Sequence, residues 1–165
     1  MKYASWISSL VVIVTGAWAV QDPHGPRLGS TPETCVRAWY SALENEDLGA
    51  VLAIYEDSPE VTAITSNGPV HRGLKEIREL YARAFEQADF EEAVLLDMRV
   101  RARAETAWVT GRFESRSRVR LDDSRWLLTL RATLVLVKTE GGWRIAHEHL
   151  STIPGTERLR RLGDR

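Results

Sequence analysis

The chain changes its hydrophobic period part-way along. Apolar residues Val36, Trp39, Tyr40 and Leu43 recur at helical spacing, and Leu74, Ile77, Leu80, Tyr81, Ala84 and Phe85 repeat the pattern with charges on the opposite face. Ser30 or Thr31 can cap the first helix, with Pro32 at its first position and Glu33 in its first turn. After the break Glu44-Asn45-Glu46-Asp47, Leu48 to Tyr55 reads as a shorter second helix, and Gly73 opens a third. Val61 to Thr65 is a short strand, followed by the turn Ser66-Asn67-Gly68-Pro69. Beyond Phe85 the period becomes two. Val94 to Ala104, Ala107 to Val119, Trp126 to Lys138 and Trp143 to Ile153 read as four strands, joined by separators short enough for hairpins. Segregated helices followed by an antiparallel meander predict an α+β domain with three N-terminal helices on a curved, mainly antiparallel sheet.

The first twenty residues stand apart. Lys2 is the only charge before Asp22, Trp6 to Val14 are mostly apolar, and Ala17-Trp18-Ala19 has the small-x-small form of a cleavage site. These features predict a secretory signal peptide over 1–19, cleaved after Ala19, and a secreted or periplasmic mature protein without a membrane span; the apolar run is short for an anchor. Residues 20–31 form a flexible lead-in, 32–153 the folded domain, and 154–165 an arginine-rich tail expected to be loose. Net charge of -1 argues against a polyanion binder, so no nucleic-acid partner is expected. The only cysteine, Cys35, allows no internal disulfide and reads as a small buried hydrophobe.

Trp143 to Ser151 (WRIAHEHLS) carries the most chemistry. Strict alternation would put Ile145, His147, His149 and Ser151 on one face. His147 and His149 have acceptable metal-ligand spacing, yet His71 is the only other domain histidine and no compact carboxylate set joins them, so no metal site is expected. His149, nearer the strand end, reads as the pocket histidine. Arg131 interrupts an apolar strand and needs a partner. It reads equally as a ligand anchor beside Thr133 and His149, or as a structural residue, paired with an acid such as Glu114 or Glu148 or exposed at a dimer face. Asp97, after Leu95-Leu96, is the best single candidate for a buried acid, though such a residue more often faces solvent on an alternating strand. The alternating Arg99, Arg101, Arg103 and Arg112, Arg116, Arg118, Arg120 read as a solvated outer face or polar dimer interface. No phosphate loop, dinucleotide fingerprint, nucleophile elbow or cysteine metal motif occurs, so no cofactor is expected.

Local sequence adds a family resemblance over roughly Pro32 to Ile153. WYSALENEDLGAVLAIY (39–55), HRGLKEIRELYARAF (71–85), AWVTG (107–111), Arg131-Ala132-Thr133 and WRIAHEHLS (143–151) resemble the NTF2-like superfamily, and within it the SnoaL-like and ketosteroid-isomerase-like proteins. The resemblance implies a cone-shaped fold, with a partly apolar pocket between helix and bent sheet, and homodimers formed through the outer sheet face. Relatives include isomerases, cyclases, dehydratases, ligand binders and oligomerisation domains, so fold alone does not choose a function. In the steroid isomerases a Tyr on the first helix and an Asp on the first strand do the chemistry. Those positions fall here on Trp39 and Ala63, and Ala63 cannot accept a proton. Together these readings predict a binder of a small, partly apolar organic molecule, with Trp39, Tyr55, Tyr81 and Trp108 as walls and Arg131, Thr133 and His149 as polar anchors. The alternatives are a cofactor-free isomerase, cyclase or dehydratase using His149 as its catalytic acid/base, and a non-catalytic dimerisation or interaction module.

Overall fold

A computed structural model describes residues 29–66, 68–154 and 159–163; the expected signal peptide and nearly all of the lead-in lie outside them. The element order is α1 (Pro32–Glu44), α2 (Leu48–Ile54), β1 (Thr62–Ile64), β2 (Val70–Arg72), α3 (Gly73–Gln87), β3 (Ala88–Arg103), β4 (Thr106–Val119), β5 (Arg125–Thr139), β6 (Gly142–Ser151) and β7 (Leu159–Leu162). Three helices pack on one face of a curved, mostly antiparallel sheet, giving the expected α+β architecture. The strand order is β2-β1-β6-β5-β4-β3, with β7 pairing to β5 and β1 running parallel to β6.

Local chemistry sets the helix starts. Thr31 caps α1 reciprocally: its Oγ1 accepts from the Thr34 amide at 3.2 Å, and Thr34 Oγ1 accepts from the Thr31 amide at 3.0 Å. Asp47 caps α2 by accepting from the Ala50 amide at 2.9 Å. The acidic break between the two helices also anchors the sheet. Glu44 accepts from the Ala93 amide at 2.9 Å and Glu46 from the Phe90 amide at 3.2 Å, which fixes the start of β3 against the end of α1.

Three strand features depart from the expected pattern. β3 begins at Ala88, directly after α3, because its polar first turns pair with β4 through charge: Asp89 bonds Arg118 and Glu92 lies 3.0 Å from Arg116. No apolar alternation marks that segment. β2 forms over Val70–Arg72, between the expected turn and the third helix, where no element was read, and part of the arginine-rich tail is ordered as β7 rather than loose.

The core lies between the helices and the inner sheet face. Val36, Trp39, Leu43, Val51, Ile54 and Ile77 meet Val109, Phe113, Leu130, Leu134, Leu136 and Ile145. Cys35 is fully buried there, and burial pushes its thiol up to about 12, as befits an inert packing residue. Three β-bulges break the alternation of the long strands. One lies at Leu96–Arg99 of β3, a second at Phe90–Glu92 of the same strand, and the third at Ala146 of β6, where Leu136 pairs Ile145 but Val135 pairs His147. Gly111 sits opposite the first; a Cβ there would come within 2.7 Å of the Leu96 carbonyl oxygen, so this close approach requires glycine.

Candidate functional site

The bulge at Ala146 decides what β6 presents to the interior. Trp143 and Ile145 face inward. The extra residue then shifts the parity, so Glu148 turns inward while His147 and His149 face out. Glu148 is only 2% exposed. A buried carboxyl in an apolar interior is costly unless hydrogen-bonded or neutral, and three side chains converge on it. Tyr55, at the end of α2, bonds Glu148 Oε2; Tyr81 of α3 donates to the same oxygen at 2.9 Å. The two tyrosine oxygens are 2.8 Å apart, and Trp39 Nε1 of α1 donates to Tyr81 Oη at 3.1 Å. Trp39, Tyr55 and Tyr81 are 1%, 2% and 7% exposed, so one element of each kind, three helices and a strand, supplies one member of a closed polar centre.

Glu148, Tyr55 and Tyr81 make three mutual oxygen–oxygen contacts. With Glu148 ionised, both hydroxyl protons go to the carboxylate; with Glu148 protonated, a closed ring of three donors and three acceptors forms. Burial holds the Glu148 carboxyl above its ordinary value of 4.5, outweighing the tyrosine hydrogen bonds that favour the anion, so it favours the acid form. Both phenols are held well above 10.0, first by burial and then by the charge Glu148 carries once ionised.

An aromatic file leads to it. Phe90 packs edge-on to Phe85 (5.6 Å), Phe85 lies 6.2 Å from Tyr81, and Tyr81 lies 6.2 Å from Tyr55. Phe113 backs Trp39 at 5.2 Å. Phe85 and Phe90 are half-buried, so the file runs from the surface inward to Glu148.

The residues expected to line one pocket divide between two faces. Trp39, Tyr55 and Tyr81 converge in the interior, as described. Trp108, Arg131, Thr133 and His149 do not reach it. Thr133 pairs His149, Arg131 pairs Ser151, and Trp108 and His147 both pair Val135, so all occupy the outer face. Trp108 is 41% exposed, and Arg131 is exposed and donates to the Thr152 carbonyl at 2.9 Å. His149 is exposed too, which removes it as an interior acid/base. His147 is half-buried, its Nδ1 hydrogen-bonded to Thr62 Oγ1 at 2.7 Å; burial, and then the neighbouring His149, hold its pKa below 6.5. Asp97 is likewise no buried acid: it sits in the β3 bulge at φ 53°, largely exposed, 3.9 Å from Arg112. Alternation alone missed Glu148, Phe85 and Phe113 as site residues. The only cue was an acid set among Trp143, Ile145 and Leu150, and the bulge is what makes it point inward.

A family model described as a SnoaL-like domain matches residues 33–155. The chain belongs to the SnoaL-like domain family. No curated protein sequence matches it. Solved structures similar to this SnoaL-like domain include a proposed aromatic ring hydroxylase from Novosphingobium aromaticivorans, at 18% identity over 86% of this chain and 96% of that one, with a TM-score of 0.69. A ketosteroid isomerase-like protein from Erwinia carotovora atroseptica is 24% identical over 73% and 92% of the two chains, TM-score 0.64. A proposed dehydratase of the NTF2-like family from Streptomyces avermitilis is 23% identical over 74% and 99%, TM-score 0.61. At these identities the likeness establishes the NTF2-like fold of the SnoaL-like domain, and its chemistry rests on its own residues. Ala63 of β1 pairs in register with Glu148, so it lies beside the acid on the inner face.

Proposed function

We propose that this SnoaL-like domain holds a small, partly apolar molecule in its cone, with a carbonyl or hydroxyl oxygen against Glu148, and that Glu148 acts as a general acid/base on it. The observation that carries this is the buried Glu148, shared by two tyrosine hydroxyls and held by burial above its ordinary carboxyl value. A carboxylic acid kept protonated by burial can donate a hydrogen bond, or its proton, to an oxygen that gains charge during reaction. When Glu148 gives its proton to that oxygen, the carboxylate it becomes is held by Tyr55 and Tyr81; the reverse transfer restores the ring. Trp39 fixes the orientation of Tyr81 through its indole N–H. Phe85, Phe90 and Phe113 suit the apolar body of the ligand. The chemistry fits an isomerisation, cyclisation or dehydration that needs proton transfer and no cofactor. Similar folds named as a ketosteroid isomerase-like protein and a dehydratase agree with that class.

The test is a binding screen of small cyclic ketones and alcohols by ligand-observed NMR, with hydrogen exchange into D2O at enolisable positions followed in the same samples. Hits should be lost in Glu148→Gln and Tyr81→Phe and retained in His149→Ala. Hits insensitive to Glu148→Gln but lost in His149→Ala would place the site on the outer face and end this reading.

The outer half-sheet around Trp108, Val70, Arg131 and His149 is assigned to a second copy of the chain. Trp108 and Val70, 41% and 36% exposed, are apolar groups left in water on a face that also offers Arg131 and His149 as hydrogen-bond donors. Export after cleavage at Ala19 completes the proposal; it rests on the composition of residues 1–19.

A further inference from the structure

β7 turns one end of the outer sheet face into a basic trough. Directly paired residues share a face, so the register places Arg116, Leu127 and Arg160 side by side across β4, β5 and β7. The next row is Arg118, Arg125 and Leu162. Strands lie about 4.8 Å apart, so the backbones of Arg116 and Arg160 flank Leu127 at a separation of about 10 Å. Beside them opens a cavity of about 600 Å³, lined by Glu91, Arg116, Arg125, Arg160, Leu162 and Gly163. That volume lies within the roughly 300–1,000 Å³ of small-molecule sites.

The charges there are incompletely matched. Arg116 holds Glu92 at 3.0 Å and Arg125 holds Glu91 at 3.0 Å. Each pair uses part of a guanidinium that has five N–H donors. Arg160 has no ion-pair or hydrogen-bond partner among the described residues. Three planar forks thus border one cavity, two held in place by acids on β3 and the third unpaired among the described residues. Such forks suit the bidentate geometry of carboxylate and phosphate oxygens. Glu91 and Glu92 interrupt the positive surface, which disfavours an extended polyanion and favours a compact one.

We infer that this trough is an anion site for a small molecule bearing a carboxylate or phosphate group, its apolar part resting on Leu162. It is independent of the Glu148 centre, which lies on the other face of the sheet. It also stands clear of the half-sheet around Trp108: eight residues of β4 separate Trp108 from Arg116, about 26 Å of extended chain.

Isothermal titration of the full mature protein with inorganic phosphate and, separately, with citrate, at constant ionic strength, tests the inference. At least one probe should bind saturably at one site with a midpoint below about 1 mM. Arg160→Ala and Arg125→Ala should each weaken that binding about tenfold or more. Arg160→Lys, which keeps the charge and loses the fork, should weaken it less. Arg99→Ala/Arg101→Ala, on the distant part of β3, should leave it unchanged. Binding of phosphate alone or citrate alone would identify which anion the trough prefers, and either supports the site. No saturable binding of either probe, or equal loss in the Arg99/Arg101 control, would overturn it.

Discussion

At the residue scale the protein turns on one buried acid. Glu148 raises a linkage prediction whose sign follows from its direction of shift. Its folded pKa lies above the unfolded value, so the stability it contributes is complete below about 4.5 and is lost as pH rises through the folded pKa. Glu148→Gln removes the titration and keeps a polar amide in place. The stability difference, wild type minus Glu148→Gln, measured by urea unfolding, should be most favourable to wild type below pH 4.5 and shrink steadily above it. A difference that grows with pH would mean the carboxylate, and not the acid, is the held form. Much of the aromatic half of the centre was legible in the sequence, since Trp39, Tyr55 and Tyr81 sit on helical stripes whose period fixes their direction. Glu148 was not, because its neighbours on either side are histidines and plain alternation assigns them the interior.

At the element scale the bulges decide where His149 and Asp97 face. A bulge adds one residue without a compositional mark, and every side chain beyond it changes face. Strict alternation put His149 inside and the bulge at Ala146 reverses it, while Asp97, in the bulge at Leu96–Arg99, takes the solvent-facing position that such a residue more often has. Gly111, within a strand, was the one visible trace of that β3 irregularity. The β6 bulge gives an asymmetric prediction. Deleting Ala146 leaves Ile145 and Glu148 inward and His147 outward, so the variant should stay folded and lose little stability. Inserting an alanine after Ala146 also keeps Glu148 inward under plain alternation, but slides it two residues along β5, from Leu134 to Ala132, away from Tyr55 and Tyr81; it should cost several kcal/mol through a buried acid that has lost its partners. Circular-dichroism melts of the two variants compare them directly. Equal tolerance of both changes would show that β6 has no fixed register. The start of α1, by contrast, was legible to within a residue, because the cap at Thr31 and Pro32 beside it act within four residues of their partners.

At the scale of the whole molecule the sheet has two working faces. The inner face closes on the Glu148 centre beneath three helices; the outer face carries Trp108 and the two histidines at one end and the arginine trough at the other. The α+β class followed from the change of period, but the division between faces did not, because it depends on pairing register and on β7, whose strand character is decided by β5 offering a free edge beyond β6. Native mass spectrometry of protein taken from the cell envelope should give a dimer of chains beginning after Ala19. Trp108→Glu should shift it to monomer without altering the melting temperature by more than a few degrees, since Trp108 packs on no inner core. A monomer that is already fully formed in wild type would remove the second copy from the outer face, and a mass retaining residues 1–19 would remove cleavage.

The most direct measurement is a carbon-13 NMR titration of the glutamate side-chain carboxyls, with Glu148 assigned by its absence in Glu148→Gln. The account predicts a Glu148 carboxyl that stays protonated above 4.5 and whose chemical shift moves in Tyr55→Phe and Tyr81→Phe. A Glu148 carboxyl that ionises at or below 4.5 would contradict it.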